Sequence, residues 1–420
     1  MTLTREGYLP RIADQELRSL LETYGALSIE GLRWCGKTWL ALNHANSVSY
    51  LMDANTRILA EHDTANVLTG ETPHVIDEWQ ELPGIWDAVR FAVDQDPARG
   101  RYLLTGSVVK PSAEIRHSGI GRIAPIRLRT MSLYESGDSS GAISLKALLE
   151  GKQIESSKSM VSIQDIVRIA CCGGWPVNVS STPEDPYRLP FDYLNSVIEN
   201  DVPQKEIPVR DTSKFRHFLA SLARSNATIV KNTTIHDDVR SIEGEFSTNT
   251  LASYLQTLRD LFILEEIPGW NPQSRSKARI LSSPKRLFAD PSLAVAALGT
   301  TYHKLLDDLP AFGNIFEGLC IRDLLIYAQA NNARVFHYRD NSKLEVDAIV
   351  EARDGSWAAF EIKLGAKGLA SGAASLIRLK EKMLSAGTPK PSALIVLTGS
   401  QISQRREDGV VVVPITLLKP

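Results

Sequence analysis

The chain has 420 residues, 43% of them apolar, and 47 Lys and Arg against 49 Asp and Glu leave a formal net charge of −2. That length exceeds what one hydrophobic core usually serves, so two or three globular domains are expected, and the near-neutral balance excludes a wholesale polycationic nucleic-acid binder while leaving room for local basic patches. No apolar run approaches the ~20 residues of a membrane span, the N-terminus lacks a leader pattern, and the four cysteines (Cys35, Cys171, Cys172, Cys320) show neither CxxC spacing nor a histidine partner pattern, so a cytoplasmic protein without membrane, disulfide framework or zinc is expected.

The first strand-like run is Ala26-Leu27-Ser28-Ile29, and residues 31–38 follow it as Gly-Leu-Arg-Trp-Cys-Gly-Lys-Thr, a full match to GxxxxGK[ST]. Glycines in this pattern let backbone N–H groups close around phosphate oxygens, Lys37 neutralises charge on the β- and γ-phosphates, and Thr38 offers a hydroxyl to Mg²⁺. A helix over 39–44 would point its positive end at those phosphates. The loop therefore predicts a nucleoside triphosphate site, with Gly31, Cys35, Gly36, Lys37, Thr38 and Trp39 as its binding residues. A glycine turn without a ligand is the bland alternative.

A second strand is expected at 48–52 and a third in Thr72-Pro73-His74-Val75-Ile76-Asp77-Glu78, whose proline suits a strand start. Asp77 would hold Mg²⁺ through water and Glu78 would orient or deprotonate the attacking water. Alone, the pair also reads as solvated acids opening a helix. Residues 101–107 form a fourth strand ending in Thr105 and Ser107, at the edge where ligands of open α/β sheets sit, so either hydroxyl is a γ-phosphate sensor candidate. A fifth strand at 123–128 contains Pro125, which favours an edge position. Strands alternating with helices predict a parallel, helix-covered sheet.

These features in this order resemble the AAA+ ATPases, in particular a prokaryotic group whose members carry a nuclease-like C-terminal domain. The residues concerned are 31–38, Asp77-Glu78-Trp79-Gln80, Leu104-Thr105-Gly106-Ser107, Gly121-Arg122 and Met131-Ser132-Leu133-Tyr134-Glu135. The resemblance implies ATP and Mg²⁺ as ligands, with Asp77 and Glu78 handling metal and water. Trp34 departs from it, since such loops usually have a small or polar residue there. Arg116 and Arg122 are candidates for an arginine reaching the γ-phosphate, in a homo-oligomer on the neighbouring subunit; a surface arginine paired with a carboxylate is the plainer reading.

Polar residues 136–162 suggest a boundary around one short helix. A helix over 166–172 should stop at Gly173-Gly174, with Pro176 preventing its resumption. Ser247 caps a helix carrying Leu251, Tyr254, Leu255 and Leu258, and a strand-like run follows at 261–267. Between 271 and 289 there are five basic residues (Arg275, Lys277, Arg279, Lys285, Arg286) and no acidic one before Asp290. Helix, strand and basic loop make a winged-helix-like layout that would contact double-stranded DNA or dock a protein.

In the last third, a helix from 314 through 327 carries Glu317, and strands are expected at 333–338, 343–350 and 356–364. Alternation puts Leu344, Val346, Ala348 and Val350 on one face and Glu345 and Asp347 on the other; Glu361 and Lys363 oppose Phe360, Ile362 and Leu364. Glu317, Asp347 and Glu361 would thus gather around one or two divalent ions with Lys363 beside them. With the helix at 369–385 and strand at 391–398, this resembles the PD-(D/E)XK nuclease superfamily, although no proline precedes Asp347 and Glu-x-Lys is a frequent surface pairing. The resemblance implies Glu361 and Lys363 as catalytic candidates, many members of the superfamily keeping the scaffold without cutting.

The expected organisation is α/β throughout: a P-loop AAA+ parallel sheet at 1–150, a helical and winged-helix-like region at 160–300 and a restriction-endonuclease-like α/β domain at 301–420. One functional expectation is ATP hydrolysis coupled to DNA binding and cleavage. The other is an ATP-dependent regulatory or defence switch whose C-terminal domain only binds nucleic acid or protein.

Overall fold

Five apolar runs of the first third become one parallel sheet in the computed structural model, which describes residues 6–107, 118–180, 185–201, 212–272 and 283–420. The chain divides into two units: Met1–Met131 with Trp175–Ser180 and Leu258–Ile263, and Ser132–Gly174 with Ser181–Thr257 and Leu264–Pro420.

In the first unit, helix α1 (Ala13–Leu21) precedes β1 (Ala26–Glu30), α2 (Lys37–Asn43), β2 (Ser47–Tyr50), α3 (Ala54–His62), β3 (His74–Asp77), α4 (Gly84–Gln95), β4 (Tyr102–Gly106) and β5 (Ile123–Arg127). The strand order is β2-β3-β4-β1-β5 and every pairing is parallel. The β5 edge position agrees with Pro125, which removes a ladder donor. Buried residues of β1, β3 and β4 pack on α4 through Ile76, Leu104, Ile85, Trp86 and Val89, with the Trp79 and Trp86 rings 5.1 Å apart. Strands covered on both faces read as near-continuous apolar runs, which explains why they stand out in sequence.

The second unit gathers sequence from both sides of the first. It contains β6 (Ile143–Ser144), α5 (Ile163–Cys172), α6 (Thr212–Arg224), α7 (Asn232–Glu243) and α8 (Thr248–Asp260), the last ending within residues assigned to the first unit. The Ser162 capping box opens α5 and Gly173 ends it. Pro176 does not prevent a further helix as expected: it opens the five-residue helix Pro176–Ser180, because a proline's fixed φ and missing N–H suit a first helical turn. Thr250 N donates to Ser247 Oγ at 3.0 Å, the cap anticipated for α8. An antiparallel hairpin follows, β7 (Leu264–Ile267) with β8 (Lys285–Phe288). Arg275, Lys277 and Arg279, like Arg116, lie outside the described residues.

Helix α9 (Leu309–Ala330) starts five residues before the expected position because Asp308 caps it and Pro310 fits its first turn. Strands β9 (Arg334–Arg339), β10 (Glu345–Glu351), β11 (Trp357–Lys363), β12 (Ala393–Thr398), β13 (Gln404–Arg405) and β14 (Val411–Pro414) form a mixed sheet in the order β13-β14-β12-β11-β10-β9, with α10 (Leu369–Ser385) joining β11 to β12. The expected alternation along β10 fails. Its register against β9 shifts between Val346 and Ile349, so these two residues, not Val346 with Ala348 and Val350, share the core under α10. Finally β15 (Leu418–Lys419) pairs with β6, and residues 132–174 are grouped with this unit. No helix among the described residues is long and apolar enough to cross a membrane.

Candidate functional site

The phosphate-loop pattern lies between the C-terminal end of β1 and the start of α2. A Cβ at Gly31 would lie 2.1 Å from the Leu128 carbonyl oxygen, so only glycine fits there. Gly36 has φ +100, a left-handed conformation that glycine adopts without strain. Lys37 is buried and its Nζ donates to the Gly31 and Leu32 carbonyls at 3.0 and 2.7 Å. Burial pushes its ammonium below the ordinary lysine value, against the nearby Cys35, Glu78 and Asp77. Cys35 is buried with Sγ 3.6 Å from the Leu128 carbonyl, whereas Trp34 and Trp39 expose their rings to solvent.

Because β1, β3 and β4 are parallel neighbours, their C-terminal ends deliver the remaining groups to one place. Thr38 Oγ1 and Thr105 Oγ1 both donate to Asp77 Oδ1, at 2.8 and 2.6 Å. Glu78 has φ +55 and ψ +48, unusual for a residue with a side chain, and its N–H donates to Thr105 Oγ1 at 3.2 Å. Its carboxylate accepts from Gln80 Nε2 and, at 3.4 Å, from Ser107 Oγ. Thr38, Asp77, Glu78, Thr105 and Ser107 are thus brought together. One hydroxyl and one carboxylate converging from α2 and β3 are hard oxygen donors of the kind Mg²⁺ takes alongside phosphate and water.

Arg122 lies apart from these groups of its own chain. It immediately precedes β5, and with β5 parallel to β1 it sits at the N-terminal edge of the sheet. At about 3.3 Å per residue a five-residue strand puts roughly 15 Å between that edge and the loop. Arg122 Nε instead pairs with Asp94 Oδ1 at 2.8 Å, the surface ion pair that was the plainer reading.

Two residues without a motif role also belong to the site. Arg11 is buried, donating from Nη1 to the Cys35 carbonyl and from Nη2 to the Arg129 carbonyl, each at 2.8 Å. Nothing in its sequence surroundings flags it. Gln80, by contrast, closes the Asp77-Glu78-Trp79-Gln80 stretch, and sequence proximity alone does not disclose its hold on Glu78.

In the second unit Glu317, Asp347 and Glu361 do come close, but around ammonium groups. Lys285 Nζ lies 2.5 Å from Glu317 Oε1, 3.1 Å from the Asp347 carbonyl oxygen and 3.6 Å from Asp347 Oδ1. Lys363 Nζ lies 3.1 Å from Asp347 Oδ2 and 2.5 Å from Glu361 Oε2. Asp347 Oδ2 also accepts from Ile362 N at 2.8 Å. Among the described residues no group of three or more His, Cys, Asp or Glu is disposed to hold a metal ion. The three carboxylates expected to gather are thus brought together, with Lys285 and Lys363 standing between them. Lys285 and Arg286, wing residues by their place in the sequence, are buried in β8, Arg286 pairing with Glu266 at 2.8 Å.

Burial dominates the titration here. It raises Glu317 to about 7 and Glu361 to about 8, in each case with Asp347 adding to the rise and lysines opposing it. Burial also works against the Lys285 charge, but Glu317 and Asp347 outweigh it and hold that ammonium above its ordinary value. His337 on β9 falls to about 4 through burial and the nearby Lys285 charge.

The first unit therefore carries a P-loop ATPase-like domain. Residues 23–136 match the family model described as AAA domain, while 163–304 and 312–418 match two models described as Domain of unknown function (DUF8612 and DUF4143). Uncharacterized proteins of Mycobacterium tuberculosis and Mycobacterium bovis are each 23% identical over 359 residues, spanning 84% of this chain and 73% of the relative. Among solved structures, a Walker-type ATPase of Pyrococcus abyssi is 14% identical with a TM-score of 0.43, covering 71% of this chain and 99% of its own. The Thermotoga maritima RuvB Holliday junction branch migration motor is 18% identical with a TM-score of 0.28, covering 61% and 89%.

Proposed function

We propose that the chain binds and hydrolyses ATP with Mg²⁺ at the loop of residues 31–38. The observation that carries this reading is the hydroxyl–carboxylate chain Thr38–Asp77–Thr105, set beside Lys37 with Glu78 one residue further on. On binding, the β- and γ-phosphates exchange with the Gly31 and Leu32 carbonyls as partners of Lys37. Thr38 and Asp77 would hold Mg²⁺, which would supply neutralisation of the charge on the phosphoryl oxygens. Glu78, released from Gln80 and Ser107, orients the attacking water and accepts its proton, and Thr105 or Ser107 senses the γ-phosphate. An arginine from a neighbouring copy would complete a homo-oligomeric site; Arg122, at the far edge of its own sheet, serves only across such an interface.

Two variants test this. Lys37→Ala abolishes nucleotide binding in a fluorescent-nucleotide titration, whereas Glu78→Gln binds ATP while turnover falls by about 10²-fold or more. Undiminished hydrolysis by Glu78→Gln removes Glu78 from its role.

The output we propose is binding of double-stranded DNA through the winged-helix-like region, controlled by nucleotide state. Helix α8, the β7–β8 hairpin and the basic residues Arg275, Lys277 and Arg279 support it, together with the bridge between Thr228 and Arg286 that adds a short third strand contact. The alternative output, recognition of nucleic acid or protein without cutting, is favoured over metal-dependent cleavage by one observation: Lys285 lies among the carboxylates that cleavage would need. Charge reversal at Arg275, Lys277 and Arg279 should lower the salt slope of DNA binding by about one per lost phosphate contact; an unchanged slope assigns the hairpin to another partner.

A further inference from the structure

Strand β8 belongs to the hairpin, yet its first side chain ends inside the C-terminal sheet's carboxylate group. Lys285 is 1% exposed, and its Nζ is ringed by three oxygens from two elements: Glu317 Oε1 on α9, and the Asp347 carbonyl and Oδ1 on β10. An ammonium donates three hydrogens and accepts none; Lys285 donates to Glu317 Oε1 and the Asp347 carbonyl, and Asp347 Oδ1 at 3.6 Å is an ion-pair neighbour. Lys363 from β11 does the same for Asp347 Oδ2 and Glu361 Oε2. Five ionisable side chains from four elements form one line: Glu317, Lys285, Asp347, Lys363, Glu361.

We infer that Lys285 is a built-in replacement for a divalent cation, so that the nuclease-like centre is closed to metal and serves instead to join the β7–β8 hairpin to the C-terminal sheet. A divalent ion bound through these carboxylates needs their oxygens at about 2.0–2.6 Å. Glu317 Oε1 and both Asp347 carboxylate oxygens already face ammonium groups within 3.6 Å. A metal on the same oxygens would meet two positive charges at close range, in surroundings too dry to screen them. Lys363 alone would leave Glu317 uncompensated; Lys285 is the residue that supplies the second charge. Its stem enters from an element 32 residues before Glu317 and 62 before Asp347, so the hairpin's position and the sheet's charge balance are set by one side chain.

The test is Mn²⁺ binding, followed by electron paramagnetic resonance, to the full chain without nucleotide. Wild type and Asp347→Asn should bind Mn²⁺ alike, because no site depends on Asp347 in wild type. Lys285→Met, its fold checked by circular dichroism, should gain an Mn²⁺ site at least roughly tenfold tighter than any in wild type, and Lys285→Met with Asp347→Asn should lose it. Wild-type Mn²⁺ binding abolished by Asp347→Asn overturns the inference, and so does a folded Lys285→Met that gains no site. Should Lys285→Met not fold, the comparison of wild type with Asp347→Asn still decides. Incubation of wild type with plasmid DNA and Mn²⁺ gives a second reading, since strand cleavage lost in Asp347→Asn equally refutes it. ATP hydrolysis measured on the same preparations reports on the P-loop reading separately.

Discussion

Arg11 illustrates how a residue with no motif supports one that has it. Its guanidinium is buried where two backbone carbonyls, of Cys35 inside the loop and of Arg129 beyond β5, accept its hydrogens. Hydrogen bonds from a charged donor contribute about 1.5–3 kcal/mol. Arg11→Ala should therefore lower the thermal midpoint of the first unit and raise KM for ATP several-fold while kcat changes less, because it loosens the loop without touching the groups around Glu78. Equal losses in kcat and in kcat/KM would mean that Arg11 acts in the transition state. At Glu78 the left-handed backbone aims the side chain at Gln80 and Ser107. Gln80→Ala frees that carboxylate, and a basal hydrolysis rate at or above wild type is expected in a phosphate-release assay. The loop, Asp77 and Glu78 were readable in the sequence because their chemistry is local and tied to fixed spacing. Arg11 and Lys285 were not, since their partners are distant in the chain and any single arginine or lysine looks like surface.

Among elements, the strands of the first sheet were legible from their apolar runs, and the parallel order followed from the intervening helices. The same reasoning puts Arg122, which precedes a parallel strand, at the opposite edge of the sheet from the loop of its own chain. Strand β10 defeated the alternation rule because one bulge, invisible to composition, moves Ile349 onto the face of Val346. The ionic line across β8, α9, β10 and β11 gives its elements a pH dependence. Glu317 and Glu361, raised to about 7 and 8, keep protons in the folded state that the unfolded chain releases near 4.5, so their stabilisation is full below that value and is lost as pH rises through 7 to 8. His337, lowered to about 4, acts oppositely: the unfolded chain takes up its proton below 6.5, so stability falls from there toward 4. Thermal melts of the second unit should show a midpoint declining from pH 6 to 8, and Glu361→Gln should flatten that decline. An unchanged slope in Glu361→Gln would locate the titrating group elsewhere.

For the whole molecule, nucleotide binding is coupled to the stability of the unit that holds the loop. ATP and Mg²⁺ at about 100 times Kd should stabilise it by roughly 2.7 kcal/mol, seen in calorimetry as a rise in one transition that Lys37→Ala lacks. The contacts of residues 136–162 were the least legible feature. Residues 136–162 read as a linker because they are polar, yet their serines bond to residues near 400 and beyond: Ser139 Oγ donates to the Leu418 carbonyl at 2.7 Å and Ser144 Oγ to the Pro420 carbonyl at 2.7 Å. The pairing of β6 with β15 joins segments 275 or so positions apart, which imposes an order on biosynthesis. At roughly 5–20 residues per second, β6 waits on the order of 15 to 55 seconds after leaving the ribosome before its partner emerges. The AAA domain, complete by residue 136 in its family match, can acquire its sheet during that interval. A nascent chain stalled before residue 418 would thus carry a completed first sheet and a β6 still without its partner strand.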